Sequence, residues 1–197
     1  IAQSQAATGK PLANYWMHNG FVRINSEKMS KSLGNIFSVR EILNNYHPEV
    51  VRLFMLQSHY RSPVDFSGNS LAEARSALAR CYTTLRLQTE ALDRSADCEN
   101  INTKNTSAKE ENFTNILEEL KEKFDAALDD DFNTAQALGY VFEAVRHMNN
   151  LFAAEKDTKV INKINVLNTS KKVFAHFGAV LGILKDDPEH YFRCDKE

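Results

Sequence analysis

The stretch EKMSKSLGN at residues 27–35, which we call the lysine loop, combines basic and hydroxyl side chains in a short segment. Its candidate ligand-binding residues are two lysines, two serines and the methionine between them: Lys28, Met29, Ser30, Lys31 and Ser32. The ammonium groups are compact charges suited to phosphate oxygens, and the serines add hydroxyl and backbone N–H donors. A helix start that follows such a loop contributes further donors for an anion. The pattern favours a site for a polyanion such as triphosphate, and the alternative is an ordinary lysine-bearing surface turn.

The charge distribution places the basic excess around this stretch. Residues 1–70 hold seven Lys/Arg and four Asp/Glu, a net +3, whereas the remainder holds seventeen and twenty-two, a net −5, which together give the −2 of the whole chain. A local anion site fits this distribution better than a surface that coats nucleic acid. With 197 residues, 43% of them hydrophobic and only 7 glycines and 4 prolines, the chain is expected to be globular and not all-β.

The three cysteines, Cys81, Cys98 and Cys194, are odd in number and widely spaced. Neither a disulfide framework nor a complete zinc site is therefore expected within the chain, and a reducing compartment fits best. No apolar run is long enough to span a membrane, and no signal peptide is visible. The chain begins on Ile1 and on what reads as the end of a helix stopped by Gly9, so we expect it to be a piece of a longer protein.

The segment that must position the lysine loop has strand-like and short helical patterns. YWMH (15–18) and FVRI (21–24) predict short strands. Two short helices are predicted at Ser38–Tyr46 and Pro48–Ser58. His59–Ser67 is predicted to be a connector, because Pro63 disfavours helix.

From about Ser70 the pattern changes to long amphipathic helices. A capping box of Ser70 and Glu73 is expected to start the first helix, and residues 94–107 predict a polar linker. Apolar residues recur at helical spacing in four stretches: Leu71 to Leu85, Phe113 to Leu128, Leu138 to Phe152, and Ile164 to Leu184. Four apolar stripes that must cover one another predict a helical bundle.

The string KMSKS followed by LGN resembles the second signature of the class I aminoacyl-tRNA synthetases. YWMHNGFVRINSEKMSKSLGN, HPEVVRLFMLQSHYRSPVDFS and DDDFNTAQAL resemble the cysteinyl-tRNA synthetase family most closely. The resemblance implies a mainly α protein, in which a remnant of a Rossmann-like α/β catalytic domain is followed by an antiparallel helical bundle. It implies four parts: a catalytic-domain part with the lysine loop (1–37), a connecting stem-contact segment (38–69), an anticodon-binding-type bundle (70–186) and a tail (187–197).

The resemblance also implies a reaction. The carboxylate of L-cysteine attacks the α-phosphate of ATP, pyrophosphate leaves, and the cysteinyl group passes to tRNA-Cys. Lys31 is then the first candidate for ATP binding and catalysis, with Lys28 assisting. Ser30 and Ser32 are expected to contact phosphate or order the loop, and Met29 to anchor it by packing.

The family uses ATP, Mg²⁺ and zinc, and its zinc ligands and its other ATP-binding signature are not found in this chain. We therefore expect the chain to be inactive alone, and the intact protein to be a cytoplasmic monomer without membrane attachment.

The resemblance assigns further candidates outside the lysine loop. Met17 and His18 are expected near the nucleotide, with the alternative that Trp16 and Met17 belong to the core and His18 is structural. Arg61 and Arg75 are candidates for tRNA contact. The alternative for Arg61 is a structural role at the hinge between the domains, with Asp65 as its partner.

The acidic run Asp129–Asp131 has the composition of a metal site but lacks the glycine and distal glutamate of a calcium loop. A turn between two helices explains it better, with Asn133 or Thr134 capping the next helix. No metal is assigned there.

Two other functions stay open at this stage. One is a related ligase that joins cysteine to an amino-sugar, and the other is a non-catalytic RNA- or protein-binding helical module. The amino-sugar ligase shares the activation step but is expected to diverge after the lysine loop.

Overall fold

The computed structural model describes residues 1–24, 27–28, 38–96, 108–154 and 163–194. Its first helix, α1 (Ala2–Thr8), ends where Gly9 adopts a left-handed conformation with φ 64°. The Gly9 N–H donates to the Gln5 carbonyl and closes the last turn. The predicted helix end at Gly9 is confirmed.

A small sheet forms the base of the lysine loop. Strand β1 (Val22–Ile24) lies between β2 (Glu27–Lys28), which is antiparallel to it, and β3 (Val64–Phe66), which is parallel to it. The Ile24 and Val64 side chains are buried, which fixes this face of the sheet on the core.

Two predictions about this region are wrong. The connector His59–Ser67 contains strand β3, and YWMH forms no strand, because residues 15–18 have neither helix nor strand structure. Tyr15 is 89% exposed and Met17 54% exposed. The alternative interpretation of Trp16 and Met17 as core residues is also wrong, since both side chains are exposed.

The two predicted short helices are present as α2 (Val39–Leu43) and α3 (Pro48–Leu56). The sequence forms α2 because Ser38 and Glu41 make a reciprocal capping box. It forms α3 because Pro48 stands in the first turn, where its missing N–H costs no hydrogen bond, and His47 accepts from the Glu49 N–H.

Five helices follow: α4 (Gly68–Ala96), α5 (Ala108–Asp129), α6 (Thr134–Ala154), α7 (Ile164–Leu181) and α8 (Pro188–Cys194). Helix α4 begins earlier than predicted, since the Ser67 hydroxyl, and not a Ser70–Glu73 box, accepts from the Ser70 N–H at 3.1 Å. It also runs through residues 94–96 of the predicted linker. Helix α8 lies within the segment predicted to be a tail. Leu184 lies beyond α7, in a left-handed conformation.

The core is formed where α4, α5, α6 and α7 pack on one another, with α3 and α8 against α4. The predicted apolar faces supply it, with Leu78, Leu117, Phe124, Leu138, Met148, Leu167 and Phe177 fully buried. A mainly helical protein is thus confirmed. Within the part of the chain that the structure describes, no helix has the length and apolar character needed to cross a bilayer.

Candidate functional site: the base of the lysine loop and its link to the helices

Lys28 ends β2, and its Cα pairs with that of Arg23 in the central strand. The central strand is held in turn by β3 on its other side. Lys28 therefore lies on an edge strand, β2, whose neighbour β1 is paired on both sides. Four of the predicted site residues, Met29, Ser30, Lys31 and Ser32, lie outside the described residues.

On the C-terminal side of the lysine loop, the described residues resume at Ser38, the N-cap of α2. The Ser38 N–H donates to Glu41 Oε2 at 2.8 Å, and the Glu41 N–H donates to Ser38 Oγ at 3.2 Å. Hydrogen bonds from the Ser38 backbone and hydroxyl lower the pKa of Glu41. This paired cap holds the residue at which the chain leaves the lysine loop for α2.

Met17 and His18 are exposed and lie in the segment that leads into β1. Gly20 at the end of this segment donates its N–H to the Tyr60 carbonyl at 2.7 Å. A Cβ at Gly20 would lie 2.2 Å from the Ser62 carbonyl oxygen, so only glycine permits this approach of two backbones. The contact fixes where Gly20 lies, and the nucleotide contact of Met17 and His18 stays a prediction.

Three residues of the segment His59–Ser67 contact the carboxylate of Asp131, which lies in the turn between α5 and α6. Asp131 Oδ1 accepts from the Tyr60 hydroxyl at 2.7 Å and from an Arg61 N–H at 2.9 Å, and Asp131 Oδ2 lies 3.7 Å from His59 Nε2. Arg61 Nε also donates to the Tyr60 hydroxyl at 2.9 Å. These contacts, first that with Tyr60 and then the charge of Asp131, raise the pKa of Arg61.

The interpretation of Asp65 as the partner of Arg61 is therefore wrong, because Asp131 takes that place. The interpretation of the acidic run as an interhelix turn is confirmed. Asn133 caps α6, with its side-chain oxygen accepting from the Gln136 N–H at 3.1 Å. Arg75, the other predicted tRNA contact, is half-buried in α4.

A second link joins α3 to the helices through Glu49, which is only 9% exposed. Its carboxylate accepts from the Tyr82 hydroxyl at 2.7 Å and from the backbone N–H groups of Leu184 and Lys185 at 2.8 and 3.0 Å. Burial, followed by the hydrogen bond to Glu49, raises the pKa of Tyr82 well above its ordinary value. The ring of Tyr191 in α8 stacks on Tyr82 with centroids 4.0 Å apart.

The described residues do not fit the zinc site that the resemblance implies for the family. They contain no group of three or more His, Cys, Asp or Glu placed to hold a metal ion. Cys81 is buried in the core, and burial raises the pKa of its thiol to about 12, which disfavours the thiolate that zinc binds. The Cys194 sulfur lies 3.6 Å from His190 Nε2, and these two groups alone do not make a zinc site.

Sequence reasoning missed the roles of Asp131 and Glu49. The run DDDFNTAQAL drew attention to Asp131, but its partners Tyr60 and Arg61 lie some seventy residues earlier, as the separations of 71 and 70 positions show. No local pattern signals such a pair. Glu49 was missed for the same reason, because its donors lie far along the chain, in α4 and in the turn after α7.

Two families match the chain, in separate stretches. Residues 1–76 match the tRNA synthetases class I (C) catalytic domain, and residues 123–185 match the DALR domain. The first stretch holds β1, β2, α2, α3 and β3, and the second holds Asp131, α6 and α7.

Curated relatives match nearly the whole chain. Cysteine–tRNA ligases of Geobacter sulfurreducens and Thermodesulfovibrio yellowstonii are 47% and 43% identical over 95% and 98% of the chain. The chain spans only 37% and 38% of the length of these two relatives.

Among solved structures, the LeuRS of Agrobacterium radiobacter K84 (agnB2), in a ternary complex with tRNA and LeuAMS, is similar in fold. The TM-score is 0.57 at 20% identity, over 86% of this chain and 23% of that one. The chain is thus similar over nearly its whole length to one part of the cysteine–tRNA ligases, with a class I synthetase catalytic-domain match followed by a DALR-domain match.

Proposed function

We propose that this chain supplies part of a cysteine–tRNA ligase, namely the lysine loop that acts on ATP and a helical region that binds tRNA-Cys. The observation that carries the proposal is the 43–47% identity to cysteine–tRNA ligases over nearly the whole chain. The placement of Lys28 at the end of a strand paired with β1 supports it, because a phosphate-binding loop needs a fixed base.

In the proposed reaction the carboxylate of L-cysteine attacks the α-phosphorus of ATP, and the bond to the bridging oxygen of pyrophosphate breaks. Negative charge accumulates on the leaving pyrophosphate. Lys31 and Lys28 stabilise that charge by electrostatic attraction and not by proton transfer. Ser30 and Ser32 donate hydrogen bonds to the phosphates or within the loop, and Met29 packs the loop on the protein.

The finer architecture is part of the same proposal. Residues 1–37 form the last part of a Rossmann-like domain, residues 38–69 a stem-contact segment, and residues 70–186 an antiparallel bundle of the anticodon-binding type, followed by residues 187–197. The fold similarity to a LeuRS supports the order of these parts. The sheet spans the first two of them, since β3 of the second pairs with β1 of the first. Met17 and His18 contact the nucleotide.

The partners follow from the reaction. ATP brings Mg²⁺ on its phosphates, as nucleotides commonly do. The intact protein is cytoplasmic and monomeric, uses zinc, and binds L-cysteine with groups outside this chain. Arg61 and Arg75 contact tRNA. The Arg61 side chain is 64% exposed while bound to Asp131, which leaves N–H donors for a phosphate.

The test is cysteine-dependent ATP–pyrophosphate exchange by the full-length protein with Lys31→Ala. We expect the exchange rate to fall about 100-fold or more, because a charge-stabilising donor at the developing anion is lost. Lys10→Ala is the matched control, since Lys10 is an exposed lysine of the same catalytic-type segment. Exchange that is unchanged in Lys31→Ala would overturn the role of the loop.

Two further measurements complete the test. The chain by itself is expected to show no exchange, and measurable exchange would contradict that expectation. Charging of tRNA-Cys is then compared with ligation of cysteine to an amino-sugar acceptor, each by the full-length protein. Activity on the amino-sugar and none on tRNA-Cys would show that the protein is the amino-sugar ligase and would overturn the tRNA ligase proposal.

A further inference from the structure

The contacts of Asp131 join two parts of the molecule that are distant in sequence. The carboxylate stands in the turn between α5 and α6, and it binds the hydroxyl of Tyr60 and the guanidinium of Arg61. The Arg61–Tyr60 hydrogen bond closes a triangle of three polar groups. Each group therefore has at least two partners, with His59 as a third for Asp131, which restricts the orientation of all three.

The same segment continues, through backbone contacts, to the strand that carries the lysine loop. The Tyr60 carbonyl accepts from the Gly20 N–H at 2.7 Å, and the Val64 N–H donates to the Phe21 carbonyl at 2.9 Å. Val64 then begins β3, which pairs with β1. A continuous set of contacts thus runs from Asp131 to the strand next to Lys28.

The turn that carries Asp131 has an unusual backbone. Asp131 and Phe132 both have positive φ values, 56° and 54°, a region that side-chain-bearing residues and above all bulky ones rarely adopt. The Phe132 N–H donates to the Leu128 carbonyl at 3.0 Å and the Asn133 N–H to the Ala127 carbonyl at 3.1 Å, which holds the turn in this form. The carboxylate therefore projects from a turn with little freedom to move.

We propose that Asp131 is a positioning residue. It fixes the α5–α6 turn against residues 59–61 and so sets the place of the helical region relative to the strand that leads to Lys28. The inference rests on the proposed function, in which the helices bind tRNA and the lysine loop acts on ATP. Amino-acid activation needs only the lysine loop, whereas transfer to tRNA needs the lysine loop and the helices correctly placed relative to each other.

The experiment compares Asp131→Asn with Asp130→Asn in the full-length protein. Asparagine tolerates a positive φ, so the first variant removes the charge and leaves the turn intact. Asp130 is the neighbouring exposed carboxylate and serves as the matched control. We expect kcat/KM for tRNA-Cys charging to fall about tenfold in Asp131→Asn, ATP–pyrophosphate exchange to change less than twofold, and both to be unchanged in the control.

A double-mutant cycle with Arg61→Gln tests whether the pair acts as a unit. If Asp131 acts through its partners, the double variant loses no more charging activity than the more impaired single variant. Additive losses, unchanged charging in Asp131→Asn, or equal losses of exchange and charging would each overturn the proposal.

A second readout does not depend on activity. Hydrogen exchange at the amides of Gly20 and Val64 is expected to become several-fold faster in Asp131→Asn and to stay unchanged in Asp130→Asn. Unaltered exchange at both amides would overturn the bracing role. If the unmutated full-length protein lacks both enzymatic activities, the proposed function fails, and the hydrogen-exchange result alone decides the role of Asp131.

Discussion

Single side chains in this protein form hydrogen bonds between secondary-structure elements that are distant in sequence. Asp186, just beyond α7, accepts from the Asp187 N–H at 2.9 Å and lies 2.8 Å from His190 Nδ1 and 3.3 Å from His47 Nε2. Burial of this carboxylate acts to raise its pKa, but the hydrogen bonds with His190, the Asp187 amide and His47 outweigh it, and the pKa is lowered. The ionised carboxylate of Asp186 therefore stabilises the folded state.

The stability contributed by Asp186 is expected to depend on pH. Because its folded pKa is lowered, the contribution is fully present above the ordinary value of 3.8 and is lost as the pH falls through the folded pKa. The difference in free energy of unfolding between the unmutated chain and Asp186→Asn should therefore be largest at neutral pH and shrink below pH 3.8. Urea denaturation at several pH values measures it. A difference that grows toward acid pH would contradict the direction of the shift.

At the scale of elements, the sheet depends on the close approach of two loops, at Gly20 and Ser62. Gly20→Ala places a Cβ 2.2 Å from a backbone carbonyl oxygen, and a backbone cannot rotate away as a flexible side chain can. We expect the free energy of unfolding to fall by about 2 kcal/mol. Gly139→Ala is the control of opposite sign, because nothing lies within 4 Å of its added Cβ and alanine favours helix α6 by about 0.5–1 kcal/mol. Equal stability of the two variants, measured by denaturant unfolding, would disprove the close approach.

The helices could be predicted from the sequence, whereas of the sheet only β1 was, as the strand predicted at FVRI. Apolar residues repeat with the helical period over many turns, so α5, α6 and α7 are predicted from local pattern alone. Strand β3 is three residues long and is stabilised by its parallel neighbour β1, a partner distant in sequence. The residues of YWMH have strand-forming side chains but are exposed, and local preference does not decide structure at such positions. The lysine loop could be found from its motif, whereas the Asp131 triangle depends on tertiary contacts that no motif encodes.

For the whole molecule, Glu49 joins the stretch that matches the synthetase catalytic domain to the stretch that matches the DALR domain. The first ends at residue 76, and Leu184, one of the donors to Glu49, lies in the second, at residues 123–185. Residues of both stretches belong to one buried core, with Leu53 and Phe54 in the first and Val141 and Phe177 in the second. We therefore expect the two stretches to unfold together.

Glu49→Ala tests this coupling. The change leaves the Tyr82 hydroxyl and two backbone N–H groups without their acceptor in a buried site, so we expect the free energy of unfolding to fall by about 3 kcal/mol. Glu118→Ala, at an exposed position of α5, should change it by less than about 0.5 kcal/mol. Denaturant unfolding followed by circular dichroism gives both values, and a loss as small as that of the control would show that the carboxylate does not join the two stretches.

The order of strands in the sheet bears on how the protein forms on the ribosome. Strand β1 is synthesised first, but its parallel partner β3 emerges only after α2 and α3 have been made. A nascent chain that has passed the lysines but has not reached Phe66 has no second edge on which to close the sheet. The loop that we propose for ATP therefore acquires its fixed base only after β3, a later segment of the same polypeptide, has left the exit tunnel.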